Sequence, residues 1–598
     1  MATTRRAWIQ QGLRLVFAAQ LAALDLLVRG GGAYLARPRL LGGLAGSMAL
    51  LGLAASLVRR RPAQIVLALG LGVLVVGQLA YYRYYHGPLD AQVAMAARQA
   101  WSDVRPMLLQ ALPVLGAGIA LAAAIEYGLL RAVESLGLPH GLPRWALLGC
   151  ALGGFLVCGS PRDATLEVRA VHALGALGVR REAAAAVGRK QLPELESTRA
   201  ELPNVLLVLS ESLRASDGCQ APGCPTSPEI DRALPDRVTL TQARTVASYS
   251  WLALSAVITS RTQVAARAEI AAAPDIFDFG RAARARGARY SLRYWSSQLG
   301  SVFEREDLAQ TVDELVTAET LTGGPLDDIE NSVSAGLDRE IARKCERSLE
   351  PGPKPLFVVI YLAGTHAPYF FDDADPPYQP WQRTVTWSGM ERLHAAYLNS
   401  IREQDRTVAA CFRSFLRAAA GKPWLIVYSS DHGESFGERG AIHHGQNLYD
   451  EQLRVPLLIA HGGGALSDVQ AEALRAAASR FVTHLDLAPT LLDAMGLLDH
   501  FALRSSVAAF AGRSLLRPLG PAPFVPITNC TEAFACPLNT WGVLAEGRKL
   551  ISQAWDNGWR CMSLLPEEHE VEIGECDDLR AASRTFFPRL PCGTPNGP

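Results

Sequence analysis

Three short polar clusters, far apart along the chain, hold the side chains best suited to chemistry. Ser210-Glu211-Ser212-Leu213-Arg214 offers a carboxylate, and Gly364-Thr365-His366-Ala367-Pro368-Tyr369 offers an imidazole. Ser429-Ser430-Asp431-His432-Gly433-Glu434-Ser435-Phe436-Gly437-Glu438 sets an acid beside an imidazole, and His443-His444-Gly445 follows a few residues later. Carboxylate oxygens and imidazole nitrogens together make a mixed O/N donor set suited to zinc or manganese, with calcium or magnesium as harder alternatives. Taken singly, each residue has a plainer use: Glu211 can cap a following helix, and His366 can be a hydrogen-bonded loop histidine. Their shared placement is what counts, because each cluster directly follows an apolar run.

Those runs are Val205–Leu209, Leu356–Leu362 and Trp424–Tyr428, with a fourth at Val455–Ala460. Continuous Val/Leu/Ile runs of this length predict strands buried on both faces of a parallel sheet. Helical patterns at Asp328–Arg347 and Met390–Ala419 separate them, which predicts an α/β domain with helices on both sides of a mainly parallel sheet. In such sheets the ligand site lies beyond the carboxyl ends of the strands, where all three clusters fall.

The chain has 598 residues with 58 basic and 58 acidic side chains, so no basic excess points to a nucleic-acid partner. Its first 160 residues are dominated by Leu, Ala, Gly and Val. Leu40–Val58, Ala63–Tyr82, Met107–Leu130 and Leu142–Gly159 can cross a bilayer, and Leu15–Val28, carrying Gln20 and Asp25, is a shorter fifth segment. Arg59-Arg60-Arg61 marks a cytoplasmic loop under the positive-inside rule, although Arg29, Arg37 and Arg39 fall on the opposite side. A cleaved signal peptide is the other reading of the first segment. With five spans starting inside, everything after Gly159 lies outside the cytoplasmic membrane.

Cysteine usage fits that placement. Of eleven cysteines only Cys150 and Cys158 lie in the apolar part, and the close pairs Cys219/Cys224 and Cys530/Cys536 suggest disulfides formed in an oxidising compartment. The expected organisation is a transmembrane domain over 1–160, an amphipathic linker over 161–202 with Val168, Val171, Leu174 and Leu177 on one face, an α/β domain over 203–520, and a small carboxyl-terminal subdomain over 521–598. In the last, Trp541-Gly542-Val543 and Arg548-Lys549-Leu550-Ile551 predict a hairpin, stapled by Cys561, Cys576 and Cys592.

The clusters also resemble a known family. Pro203-Asn204-Val205-Leu206-Leu207-Val208-Leu209, followed by an acid and Leu213-Arg214, resembles the opening of a sulfatase catalytic domain. Asp431-His432-Gly433-Glu434-Ser435, with Gly437-Glu438 and His444-Gly445, is similar to the signature of membrane phosphoethanolamine transferases. Asp486-Leu487-Ala488-Pro489-Thr490-Leu491-Leu492-Asp493, Gly496 and Gly512-Arg513-Ser514-Leu515-Leu516 are sulfatase-like again. The resemblance runs from Pro203 to Ile551 and implies an alkaline-phosphatase-like domain.

Sulfatases place a cysteine or serine that becomes formylglycine in a Cys/Ser-x-Pro/Ala-x-Arg motif, and counting back from Thr259-Ser260-Arg261 puts Ser250 there, with Ser248 and Ser255 as rivals. Leu252 and Leu254 replace the Pro/Ala and Arg, so the resemblance implies an unmodified serine nucleophile. Glu211-Ser212 replaces a pair of aspartates, which implies a single-metal site. Carried over residue by residue, Glu211, Asp431, His432 and the Ser250 oxygen bind a divalent metal, while His366 and His444 contact the transferred group or the leaving oxygen. Glu434 and Glu438 support the ligands or cap a helix. The implied function is a membrane-anchored phosphotransferase acting on a membrane-lipid headgroup or envelope glycan at the outer face of the bilayer. The alternatives are a membrane-anchored sulfatase or phosphodiesterase, and an inactive envelope protein of the same fold.

Overall fold

A computed structural model describes residues 61–85, 101–135 and, with short interruptions, 192–588, together with isolated positions between 42 and 60 and between 148 and 153. The chain divides into two compact units, one amino-terminal and one carrying the three polar clusters.

In the first unit, α1 (Arg61–Tyr85) and α2 (Trp101–Ser135) are long helices. Within them Arg61–Tyr81 and Ala111–Gly128 are long and apolar enough to cross a membrane. The pair packs closely: a Cβ on Gly72 would stand 3.0 Å from backbone atoms of Ile119 and Ala123, the small-residue contact that lets helices approach in lipid. Val66, Val114 and Leu121 point outward while Gln78 and Glu126 are buried, the inverse of a water-soluble helix pair. These helices correspond to Ala63–Tyr82 and Met107–Leu130. Leu15–Val28, nearly all of Leu40–Val58 and Leu142–Gly159, and the linker up to residue 191 lie outside the described residues.

The second unit is built on seven strands: β1 (Asn204–Ser210), β2 (Val238–Thr239), β3 (Ser291–Ser296), β4 (Glu314–Val316), β5 (Leu356–Leu362), β6 (Trp424–Ser430) and β7 (Leu457–Gly462), in the order β2-β7-β6-β1-β5-β3-β4. Strands β4, β3, β5, β1 and β6 run parallel. Every residue of β1 and β5 is buried, as the unbroken apolar runs require of strands covered on both faces. The strand expected at Val455–Ala460 is β7, and it runs antiparallel to β6, with Leu457 opposite Ser429. It therefore starts at the edge where β6 ends, and no helical crossover is needed.

Helices α3 (Ser250–Thr259), α4 (Asp338–Ser348) and α5 (Met390–Ala418) accompany the sheet. The helix expected over Asp328–Arg347 is broken in two, Ile329–Ser334 and α4. Gly336 sits between them at φ +64°, and a Cβ there would meet the Phe370 ring at 2.4 Å. A disulfide, Cys345–Cys411, ties α4 to α5. The end of the expected linker helix is instead a short strand, Leu195–Glu196, paired in parallel with Ala283–Arg284.

A second sheet of five consecutive strands follows: β8 (Val525–Thr528), β9 (Thr540–Ala545), β10 (Arg548–Gln553), β11 (Arg560–Ser563) and β12 (Val571–Ile573). It contains the expected hairpin, and Cys561–Cys576 is a disulfide. Cys219, Cys530, Cys536 and Cys592, needed for the other expected pairings, lie outside the described residues. Val525, Ile527, Leu544 and Ile551 of this sheet share one apolar cluster with Val246, Ala256 of α3 and Leu448.

Leu207 is fully buried at the middle of the central strand β1. Leu207→Ala is expected to lower unfolding free energy by about 3 kcal/mol, a cavity cost typical of close-packed cores, read as a reduced urea midpoint at unchanged slope.

Candidate metal centre

Sheet register brings the polar clusters together. Ser210, the last residue of β1, stands opposite Leu362 of β5 and Ser430 of β6, so the next residues, Glu211, Ala363 and Asp431, leave neighbouring strands at one level. Glu211 N–H donates to Leu362 O at 2.9 Å and Asp431 N–H to Ser210 O at 3.0 Å, extending the ladder into the site. Ser250 arrives from another direction, as the first residue of the almost wholly buried α3. The amino end of that helix carries partial positive charge, which favours an anion there.

Glu211, Asp431 and His432 are fully buried, and their ligand atoms lie within 4.8 Å of one another. Ser250 Oγ is 3.1 Å from Glu211 Oε1 and 3.1 Å from His432 Nε2. His432 Nδ1–H donates to Gly433 O at 2.9 Å, which leaves the Nε2 lone pair facing Glu211 (3.4 Å), Asp431 (3.3 Å) and the serine. A carbonyl on one ring nitrogen and a free lone pair on the other is the usual posture of a metal-bound histidine. Burial pushes the His432 pKa down to about 4, so the ring is neutral and able to donate that lone pair.

The carboxylates are under the opposite stress. Burial, with Asp431 beside it, holds Glu211 well above the ordinary carboxylate range. Burial also lifts Asp431 to about 6, against the N–H groups of Ser212 and His432 on its Oδ1. Among the described residues, the only basic side chain in ion-pair range of either acid is His432. Two buried carboxyl groups without Lys or Arg, a neutral imidazole aimed inward and a serine oxygen form a donor set that a divalent cation fits, by charge and by ligand type.

His366 and His444 also converge here. A second trio, Glu211, His366 and His444, has its ligand atoms within the same 4.8 Å. The His444 ring lies 4.2 Å from the His432 ring and 5.3 Å from that of His366, centroid to centroid. Glu434 faces His444 Nδ1 at 3.3 Å; burial would raise its pKa, but the neighbouring histidines outweigh burial and hold it below the ordinary range. Glu438 takes both terminal nitrogens of Arg214, at 3.0 and 2.9 Å, and so ties the β1 loop to the loop after Asp431. The serines that rival Ser250 are engaged elsewhere: Ser248 Oγ donates to Asn447 O at 2.8 Å and Ser255 Oγ to Leu252 O at 2.9 Å. Leu252 and Leu254 are buried in apolar surroundings.

Sequence reasoning missed several members of the site. The Tyr361 hydroxyl bridges the two acids, donating to Glu211 Oε2 and lying 2.8 Å from Asp431 Oδ2. Gln298 Nε2 donates to Glu211 Oε2 at 3.0 Å. Ser212, held in the left-handed region at φ +56°, donates its N–H to Asp431 and its hydroxyl to Glu211. Tyr361 reads in sequence as one more large residue in the Leu356–Leu362 strand, and Gln298 lies past a strand with no acid or histidine to mark it. Gly433 is required by space, since a Cβ there would stand 2.2 Å from Glu451 O.

Residues 203–497 match the Sulfatase family model. Choline-sulfatase of Rhizobium meliloti (strain 1021) is 32% identical over 113 residues, 19% of this chain and 20% of that protein. An extracellular sulfatase SULF-1 homolog of Drosophila melanogaster is 29% identical over 141 residues, 22% of this chain and 12% of that protein. The chain thus spans a fifth or less of the length of these curated relatives. Among solved structures, the integral membrane protein lipooligosaccharide phosphoethanolamine transferase A from Neisseria meningitidis aligns over 85% of this chain and 98% of that one, at 14% identity and a TM-score of 0.49. Glu211, Ser250, His366, Asp431, His432 and His444 all lie within the Sulfatase match, in the α/β unit. Residues 203–497 are thus a Sulfatase-family domain.

Because Asp431 holds its proton up to about pH 6 in the metal-free protein, metal must displace protons below that pH. Zinc affinity is expected to fall as pH drops through about 6, by about tenfold per pH unit for each proton displaced, checked by competition titration against a chelator. Asp431→Asn, which removes the charge and keeps the shape, is expected to abolish the bound metal measured by elemental analysis.

Proposed function

We propose that the protein is a membrane-anchored phosphotransferase that moves a phosphoester headgroup from a lipid to an envelope lipid or glycan acceptor through a covalent Ser250 intermediate. The observation that carries this reading is the position of the Ser250 hydroxyl, 3.1 Å from both a buried carboxylate and an imidazole nitrogen at the amino end of a buried helix. Glu211, Asp431, His432 and Ser250 Oγ would hold a divalent cation, most simply zinc or manganese, which when bound lowers the hydroxyl pKa and screens charge on the attacked group.

The chain's own residues supply the remainder. Ser250 Oγ gives its proton to Glu211 Oε1, its hydrogen-bond acceptor, and forms a bond to phosphorus as the bond to the leaving oxygen breaks, while the helix amino end stabilises the negative charge that builds up. A proton passes to the leaving oxygen from His366 or His444. The acceptor hydroxyl then attacks phosphorus, the Ser250 Oγ–P bond breaks, a histidine takes the acceptor's proton, and Glu211 returns the serine's. His366 donates through Nδ1 to Ala367 O at 2.6 Å, a bond that orients its ring.

Two helices long and apolar enough to cross a membrane support a lipid donor. The Cys345–Cys411 and Cys561–Cys576 disulfides support a site on the oxidising, outer side of the cytoplasmic membrane. The proposed organisation keeps five spans over 1–160, the linker over 161–202, the catalytic domain over 203–520 and the small subdomain over 521–598. Similarity to proteins called sulfatases favours one second reading, a sulfate- or phosphate-ester hydrolase, in which water replaces the acceptor. Buried leucines at 252 and 254 weigh against the formylglycine route.

Incubation with phosphatidylethanolamine vesicles, or with an aryl sulfate, followed by mass spectrometry of the Ser250 peptide separates the readings. Transfer chemistry predicts a phosphoethanolamine adduct on Ser250 that is absent from Ser250→Ala. A formylglycine at position 250, with turnover of the sulfate ester alone, would overturn the transferase reading.

A further inference from the structure

Beyond residue 497, where the family match ends, one side chain reaches back into the site. Asn529, immediately after β8, is buried. Its Oδ1 accepts from Ser248 N–H at 2.8 Å, and its Nδ2 donates to Ser248 Oγ at 3.0 Å and to Gly445 O at 3.0 Å. Ser248 is two residues before Ser250, and Gly445 directly follows His444. A single amide therefore joins the segment that presents the serine hydroxyl to the segment that presents a histidine. Ser248 Oγ donates in turn to Asn447 O at 2.8 Å, so the link runs on into the second loop.

The surrounding sheet reinforces this grip. Thr528 N–H donates to Val246 O at 3.1 Å, and the buried Lys549 of β10 donates to Leu448 O at 2.6 Å. Val246, Ala256 and Leu448 share the apolar cluster of the carboxyl-terminal sheet. That sheet thus holds the 246–248 and 445–448 segments at once, and Asn529 is the point where both meet.

We infer that Asn529 is a positioning residue, through which the carboxyl-terminal sheet fixes the Ser250 hydroxyl relative to His444. The inference rests on the reading of Ser250 as the nucleophile. It accounts for the engagement of Ser248 N–H and Oγ in structure, and it makes the small sheet a working part of the site. Loss of the amide frees two loops that must agree to within a fraction of an ångström, and misplacement of about 1 Å costs on the order of a hundredfold in rate.

The test uses the full-length chain in detergent, with bis(4-nitrophenyl) phosphate as substrate, zinc as the metal probe, and Thr528→Val as the control. That control removes the Thr528 hydroxyl bond to Thr540 O but leaves the link to Val246. Asn529→Ala is expected to lower kcat by about 10- to 100-fold with KM changed less than about twofold. It should also weaken zinc binding by at least about threefold, because Ser250 Oγ leaves the donor set, with the thermal midpoint matching that of Thr528→Val. In the Ser248→Ala/Asn529→Ala double variant the losses should be less than multiplicative, since both changes cut the same link.

Equal, small effects of Asn529→Ala and Thr528→Val on kcat and zinc affinity would overturn the inference. Should Asn529→Ala fail to fold, Asn529→Asp carries the test. It keeps the acceptor for Ser248 N–H and loses both donations, and a normal kcat and zinc affinity in that variant would also overturn the inference. A wild-type protein that binds zinc but turns over no phosphoester would sink the proposed function alone, because the zinc-affinity comparison still decides the role of Asn529.

Discussion

Glu211 and Asp431 lie buried side by side, with no Lys or Arg among the described residues in ion-pair range, and much of the domain's architecture follows from that. Ionised carboxylates in such a place are costly unless paired. The protein offers them a tyrosine hydroxyl shared between both, an amide from Gln298 and backbone N–H groups. These groups fix the acids in place without cancelling their charge. The net result is a site with a strong appetite for positive charge, met by protons when no metal is present and by a cation when one is. The Ser250 hydroxyl is held at the edge of that demand, where a bound cation would act on it directly.

Below the site a second tier of buried polar groups keeps the strand ends in line. Asp338 of α4 accepts from Gly364 N–H at 3.0 Å and Ala363 N–H at 3.1 Å, and also from Ser297 Oγ and Gln404 Nε2. It thereby anchors the turn that leads to His366. Gln404 of α5 accepts in turn from Ser210 Oγ at the end of β1, and Thr365 Oγ1 donates to Glu211 O. Strand register, this polar tier and the grip of the carboxyl-terminal sheet act together, so side chains drawn from five stretches of sequence hold one geometry.

The strands and the acids and histidines that follow them were legible because a parallel sheet writes itself as apolar runs and places chemistry at their carboxyl ends. All six residues singled out for the site, Glu211, Ser250, His366, Asp431, His432 and His444, come together. What stayed hidden depends on contacts without local pattern. Tyr361 is a strand residue whose hydroxyl matters only because β5 neighbours β1. Asn529 is an isolated amide whose partners lie 281 and 84 residues away. The reversal of β7 was concealed for a related reason, since a fully buried strand reads the same in either direction. Cys345 and Cys411 are 66 residues apart, beyond the reach of an argument from short spacing.

Anomalous scattering from crystals of the zinc-loaded protein tests the central claim most directly. One zinc peak is expected within about 2.0–2.3 Å of oxygens from Glu211, Asp431 and Ser250 and of His432 Nε2, the distances of tetrahedral zinc with such ligands. Zinc bound only elsewhere, with Glu211 and Asp431 still sharing the Tyr361 hydroxyl and no metal between them, would contradict the account.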